Sequence, residues 1–472
     1  MINNDLYIKL QEIVVDNGTY DSISVLNGVP VEIGETSGKT TLFERGVFGG
    51  IETSNAAGTA GTPVEQNIDV SITGGTFEKL IAGGNFISLE DAHDEYYVRG
   101  DTQTVSISGG KIENTVAAGD RLQKGILHRV GDLDMEITGG TFTSFVAGGM
   151  MNVIADAQSG HACIDGNVEM KITGGTFSEN SWLYGGNVSS GKSTISANST
   201  INGSVTITVD AAGVTENGIV LSHVVAGSHG KGHIEGKLQA DDSLLGTKVV
   251  FLGGGEDDGK AVVFARNALD EVVGELWGSS SSDPVDLITK KIDPSTSVVK
   301  GDRVLSFMGF NGKLDCANIR AFSKIEIKKR TQDKEGTALL TPINSAVVLD
   351  HENFDLSGID TWGFDCGSTL SGNFINDFAG DTLNLAGFTG IESPQTLMTD
   401  TDKSDDAAVE TIRNIFNGFG SLDTINMDGT PVSSKSFEGN AWTFTAGGSN
   451  YSLALVTSEE TSSMVLTRTP IS

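Results

Sequence analysis

Three cysteines in 472 residues, Cys163, Cys316 and Cys366, are too few and too far apart for a disulfide framework or a CxxC metal knuckle. Basic residues are also scarce, with 31 Lys and Arg against 62 Asp and Glu, which gives a formal charge of −31. A chain this acidic gains no electrostatic attraction to nucleic acid or to anionic membranes, and it repels polyanionic polysaccharides. No stretch approaches the ~20 apolar residues of a membrane span. The segment from Met1 to Asn17 has no basic region, apolar run or small-residue site of a secretory signal. The expectation is cytoplasmic residence, export without an N-terminal signal, or origin as a piece of a larger exported protein. Nucleophile elbow, HExxH and paired-cysteine motifs are all missing. Solenoid carbohydrases carry their acids without a linear signature, so this gap does not exclude an enzyme.

Glycine, by contrast, is abundant at 61 residues, about twice its usual ~7 % share. Much of it lies in one repeated phrase. Ile68-Asp69-Val70-Ser71-Ile72-Thr73-Gly74-Gly75-Thr76-Phe77 returns around Ile107, Ile137 and Ile172, and a degenerate copy surrounds Ile207. The steps between these isoleucines are 35, 30, 35 and 35 residues. A second phrase follows in each copy: Ile81-Ala82-Gly83-Gly84, Val116-Ala117-Ala118-Gly119, Val146-Ala147-Gly148-Gly149 and Leu183-Tyr184-Gly185-Gly186. Val225-Ala226-Gly227 closes the series, and Val47-Phe48-Gly49-Gly50 reads as an eroded earlier copy.

Within a copy the apolar residues alternate, which predicts a strand buried on one face. The paired glycines permit sharp corners. Strand, corner, short strand, corner and a variable excursion describe one coil of a β-solenoid, whose stacking buries what a single coil cannot. Stacking predicts one interior ladder of Ile72, Ile107, Ile137, Ile172 and Ile207, and another of Phe77, Ile112, Phe142 and Phe177. Outside, Thr73, Ser108, Thr138, Thr173 and Thr208 are expected in a hydroxyl row. Glu136 and Lys171 interrupt the neighbouring outward row, which argues against an ice-binding plane.

The predicted organisation is an all-β chain in four parts. Residues 1–45 form a cap, 46–235 the solenoid of ~35-residue repeats, 236–299 a connector with a helix, and 300–472 a second β-rich module. Helical spacing is read over Phe264 to Trp277, and again over Ser404 to Asn417, where Asp405 and Asp406 occupy the first turn.

The Ile-Thr-Gly-Gly-Thr-Phe and Val-Ala-Gly-Gly phrases resemble those of repetitive surface or secreted proteins of Gram-negative gut bacteria, similar to autotransporter passengers. Three downstream segments share the resemblance: Val304 to Gly312, Asp360 to Asp365 and Phe378 to Leu385. It implies a right-handed parallel β-helix displayed outside the cell as an adhesin or structural element. The repeats by themselves leave handedness open. Neither a signal peptide nor a C-terminal membrane barrel is present in the sequence, which favours signal-less export over the autotransporter route.

Projecting excursions are where a rigid stack carries binding. The candidates are Asp94, Glu95, Tyr96 and Tyr97 in the excursion 85–101, with Arg121, Lys124 and His128 in 120–132. A metal reading attaches to His229 and His233, beside His223, and to Asp257 and Asp258 in an acidic loop. Without a helix the four-residue histidine spacing has no ligand geometry. The acidic loops lack an EF-hand register, so solvated side chains are the preferred reading and calcium the cation that remains open. The function expected is an adhesin or rigid spacer, without catalysis or a cofactor. Its partner is a glycan or surface protein, or another copy of itself. The alternatives are a carbohydrate-active β-helix enzyme and a self-assembling filament subunit.

Overall fold

The computed structural model describes residues 13–16, 18–24, 31–34, 41–50, 64–65, 67–87, 98–99, 101–122, 126–129, 131–154, 161–191, 198–229, 232–255, 257–279, 298–333, 336–375, 380–400, 416, 422–458 and 461–471. The chain divides into two compact units. The first comprises Met1–Val209, Gly218–Val249 and Ala265–Asp302, and the second Asp210–Asn217, Val250–Phe264 and Arg303–Ser472. Both are built of strands, and the parallel pairing follows from the repeat.

In the first unit the alternating phrase forms one long sheet. Its strands Ile13–Asp16, Val31–Gly34, Ile68–Ile72, Thr102–Ile107, Asp132–Ile137, Val168–Ile172 and Val205–Asp210 pair in that order, all parallel. The short strands after the first glycine pair make a column of Thr76–Phe77, Lys111–Ile112, Thr141–Phe142, Gly175–Phe177 and Ile219–Leu221. Those before the second pair make another: Ile81–Ala82, Val116–Ala117, Phe145–Ala147, Trp182–Tyr184, His223–Val225 and Glu275–Trp277. Thr41–Phe48 joins both columns, with Phe43 opposite Phe77 and Val47 opposite Ile81, so the eroded copy keeps its place. Two smaller parallel sheets hold the excursions. One runs from Phe86–Ile87 through Arg121–Leu122 and Met151–Ile154 to Val188–Gly191. The other runs from Ile126–Arg129 to Val298–Val299.

The ladders bury the inward residues. Ile72, Ile107, Ile137 and Ile172 are at most 1 % exposed, as are Phe77, Ile112, Phe142 and Phe177. Phe142 and Phe177 stack at 4.6 Å between centroids and 12° between planes. The last copy departs from expectation. Ile172 pairs with Val209, Ile207 with Met170, and Thr208 with Lys171. A slip of two residues keeps every side chain on its face, so alternation alone does not fix this register.

The two glycine corners work differently. Gly75, Gly110, Gly140 and Gly175 hold φ of 106°, 92°, 95° and 100°, which L side chains rarely adopt. The Ala-Gly-Gly corner is a matter of space: a Cβ on Gly83 would lie 2.2 Å from Val105 Cγ2 and 2.3 Å from the Ala118 carbonyl oxygen. Just past that corner, buried polar groups bond from one copy to the next. Asn85 Nδ2 donates to Asp120 Oδ1 at 2.8 Å, Met150 N to Asn187 Oδ1 at 2.7 Å and Asn187 N to Ser228 Oγ at 3.1 Å. Gln103, which interrupts an aliphatic row, donates its side-chain amide to the Ala118 carbonyl. A polar interior is affordable when its groups find partners.

In the second unit the strands Asp302–Met308, Lys324–Lys328, Thr361–Asp365, Thr382–Ala386 and Thr424–Met427 pair in that order, all parallel. The antiparallel strand Thr430–Pro431 follows them. Leu305, Ile325, Trp362, Leu383 and Ile425 form one buried row there. A further sheet begins parallel, with Asn311–Lys313, Ala346–Asp355, Thr369–Ile375 and Gln395–Thr399. It then turns antiparallel through Ser462–Pro470, Ser449–Thr457, Ala441–Ala446 and Lys435–Glu438.

The helix expected over Phe264 to Trp277 does not form. Val262–Phe264 and Glu275–Trp277 are strands, and between them Arg266 and Val272 bridge around a turn. Asn267 Oδ1 accepts the Leu269 and Glu271 amides at 2.9 and 3.0 Å, and Asp270 sits at φ 64°. Asn and Asp favour such turns over helix interiors. Of Ser404 to Asn417 only Phe416 is among the described residues; it is helical and buried. One other helical turn is described, Asp258–Ala261.

Candidate functional site

Several expected contact residues, Asp94, Glu95, Tyr96, Tyr97 and Lys124, lie outside the described residues. His128 occupies the strand Ile126–Arg129, opposite Cys163, and its side chain is likewise outside the description. Arg121 is half-buried in Arg121–Leu122, and its guanidinium lies 4.7 Å over the Phe86 ring. Burial lowers its pKa from the ordinary guanidinium value.

Phe86 belongs to an apolar cluster outside the main ladders. Phe48, Ala82, Ala117, Ala147, Tyr184, Val225 and Trp277 face away from the ladder residues on their strands, and Phe86, Met151 and Val188 pack over them. Three successive copies place alanine in this row, between Phe48 before them and Tyr184, Val225 and Trp277 after. The residue at the start of each short strand becomes aromatic as well: Phe145, Trp182 and His223 pair in register and are each half-buried. Trp182 stacks on His223 at 4.1 Å and 15°, and meets Trp277 edge-on at 5.7 Å. Phe145 lies 6.1 Å from Tyr184 and 5.9 Å from His229. Burial raises the pKa of the Tyr184 phenol. Partly exposed ring faces and edges stack on the C–H face of a sugar, or hold a cation. The sequence signal for this column is readable only by aligning the copies on their Ala-Gly-Gly corners.

The metal candidates are not brought together. His229 bridges to Val188 and touches the rings of Phe145 and Tyr184. His233 sits in a different sheet, between Thr200 and Val298. Asp257 forms an exposed ion pair with Lys260 at 3.1 Å. Asp258 is buried with its carboxylate turned onto backbone amides: Asn311 at 3.1 Å, Gly254 at 3.4 Å and Gly255 at 3.5 Å. Burial pushes its pKa up, against the pull of those amides and of Arg330. Arg330 is itself buried, and donates to the carbonyls of Gly253 and Gln332 at 2.7 Å each. This set fastens a glycine-rich turn. Among the described residues no group of three or more His, Cys, Asp or Glu side chains is arranged to hold a metal ion. No helix among them is long and apolar enough to cross a membrane.

Sequence reasoning missed a carboxylate pair on the solvent face of the long sheet. Asp134 stands directly opposite Glu169, with Asp132 two residues away on its own strand. Burial, then Glu169, then Asp132 push the Asp134 carboxyl above its ordinary pKa. The neighbouring Glu136 faces Lys171 at 3.8 Å, so that row is balanced where the Asp134 row is not. Two adjacent carboxyls, one biased toward its protonated form, have the makings of an acid and a base. They lie on a sheet face.

The thiols are subdued. Burial and then Asp165 push Cys163 up to about 11, burial raises Cys366 as well, and Cys316 is fully buried. Low thiolate content makes poor nucleophiles. No family model, curated protein or solved structure matches the chain.

Proposed function

We propose that this chain is a β-solenoid surface protein, working outside the cell as a rigid scaffold that presents binding surfaces to a glycan or surface-protein ligand. The observation that carries this reading is the register. From Ile68–Ile72 to Val168–Ile172 every strand of the long sheet pairs in parallel with its repeat equivalent. One copy cannot bury its own apolar face, and a stack can, so the product is a stiff element. The half-buried aromatic column of Phe145, Trp182 and His223 supports adhesion, because flat apolar ring surface beside polar edges suits sugar rings. The right-handed coil belongs to the same proposal and rests on the autotransporter-like phrases.

The test is a glycan-array screen with and without calcium, followed by incubation of each hit with the protein and analysis of the products. An intact bound glycan is the expected result. A cleaved one overturns the non-catalytic reading.

Asp134 and Glu169 specifically favour a second reading, a carbohydrate-active enzyme. Cleavage abolished by Asp134→Asn and by Glu169→Gln would establish it. Cleavage that persists in both variants would remove this pair as its basis.

A further inference from the structure

The antiparallel strands near the C-terminus carry a surface unlike the solvent face of the long sheet. Alternation sends Trp442, Phe444, Tyr451, Leu453, Met464 and Leu466 to one side, where all are at most 5 % exposed. The opposite side carries a block of uncharged polar residues, bordered by Ala441, Ala454 and Val465 and by Glu438 at its outer strand. Ser436, Thr443, Ser452 and Thr467 pair in register across four successive strands. Thr445, Asn450 and Thr469 form a second row beside them. These residues are exposed or half-buried, and none carries a charge. On the solvent face of the long sheet, by contrast, Asp69, Asp134, Glu136, Glu169 and Lys171 occupy the corresponding outward positions. Most of the hydroxyl face lines a depression of about 510 Å³, within the size range of small-ligand sites.

The amine of Lys435, at the rim, is turned to the other side. It is held by the carbonyls of Leu422 and Asp423 and lies 5.6 Å from the Trp442 ring. Several of the hydroxyls are already oriented. Ser436 and Thr443 share a 2.8 Å hydrogen bond, Thr445 Oγ1 donates to Asn450 Oδ1 at 3.2 Å, and Thr467 Oγ1 donates to the Ser452 carbonyl at 3.3 Å. The tight Gly447-Gly448 turn, with φ of 52° and 72°, pins the register of the two central strands.

We propose that this face is a binding site for a neutral oligosaccharide. The argument is one of complementarity. A concave surface without charge offers nothing to a polyanion, and without exposed aromatic anchors it lacks the hot spot of a protein interface. Hydroxyls repeated at the inter-strand spacing of about 4.8 Å match a ligand that presents hydroxyls at a similar repeat. Each can both donate and accept, so desolvated groups on the two sides are repaired in pairs. The row of four spans the width of a few sugar rings. The proposal rests on the surface-binding reading above and adds the site and the charge class of the ligand.

The test is calorimetric titration of the full chain, in EDTA, with cellotetraose, mannotetraose and tetra-N-acetylchitotetraose. Tetragalacturonate serves as the anionic control. At least one neutral sugar should bind, and tetragalacturonate should not. The double variant Thr443→Val/Thr467→Val keeps shape and strand preference while removing two hydroxyls. It should weaken binding about tenfold or more, with an unchanged melting temperature. Neutral-sugar binding that survives the valine pair overturns this site while leaving the adhesin reading in place. Binding of tetragalacturonate alone overturns the charge class. No binding of any of the four overturns the site and leaves the rigid scaffold, which the broader glycan screen tests separately.

Discussion

Removing one ring from the aromatic ladder of the first unit tests the repeat register directly. Phe142 is 0 % exposed, with Ile112 opposite it in one neighbouring copy and Phe177 stacked at 4.6 Å in the other. Phe142→Ala removes a fully buried ring from a packed interior and should cost about 3–5 kcal/mol. Of that, about 0.5–1.5 kcal/mol belongs to the ring pair rather than to burial. A double-mutant cycle isolates the pair. Phe142→Ala, Phe177→Ala and the double variant, unfolded in urea and followed by circular dichroism, should show a coupling of about 0.5–1.5 kcal/mol. Phe77 provides the control, since Ile112 stands between it and Phe142. Two strand spacings, roughly 9.6 Å, should make Phe77→Ala and Phe142→Ala additive within about 0.3–0.5 kcal/mol. Equal couplings for the two pairs, or none for Phe142 with Phe177, would refute the ladder and the stacking argument with it.

Asp134→Asn should stabilise the first unit by about 0.2–1 kcal/mol at neutral pH, because it removes a like charge facing Glu169. The folded pKa of Asp134 is raised, so its penalty is absent below the ordinary carboxylate pKa and grows as pH rises through the folded value. Melting curves of the variant and the parent should therefore converge below about pH 4 and separate above it. Asp428 runs the other way. Burial raises its pKa, but the Thr389 hydroxyl and the amides of Gly387, Thr389 and Phe388 outweigh it and leave the pKa lowered. Its contribution is present above the unfolded carboxylate pKa and lost as pH falls through the lowered folded value. Asp428→Asn should destabilise the second unit by about 1 kcal/mol at pH 7, with the deficit disappearing in acid; a deficit unchanged by acid would count against it.

Much of the first unit was legible because two local rules coincide in each copy. Period-two alternation marks the buried face, and the glycine pairs mark where each strand stops. Where the second rule lapses, the reading slips. Val205-Thr206-Ile207-Thr208-Val209 is followed by Asp210-Ala211-Ala212-Gly213 in place of a glycine pair, and the register came out two residues early. Alternation tolerates that error without exposing a single apolar side chain. The segment from Phe264 to Trp277 failed for a different reason. Of its apolar residues at every fourth position, Phe264 and Leu276 belong to two separate short strands and Ala268 and Val272 to the turn between them, where the chemistry of Asn267 and Asp270 outweighs the helical spacing. The aromatic column, the Asp134–Glu169 pair and the hydroxyl face depend on which residues stand side by side on adjacent strands. That information sits 30 or more residues apart in the first unit, and becomes visible only when the copies are placed in register.

The copies differ in length without differing in register. Ile107 and Ile137 are 30 residues apart, while Ile72 and Ile107 are 35 apart, yet both steps end in the same parallel pairing. The spacing from each isoleucine to the next ladder residue is constant: Ile72 to Phe77, Ile107 to Ile112, Ile137 to Phe142 and Ile172 to Phe177 are each five residues. Length variation falls outside this segment, mostly in the excursions, with two extra residues between Phe177 and Leu183. Such a frame can gain, lose or exchange surface segments one copy at a time, much as a rack accepts interchangeable cards. Duplication of a whole copy adds length without redesigning any interface, since each new copy meets neighbours of its own kind.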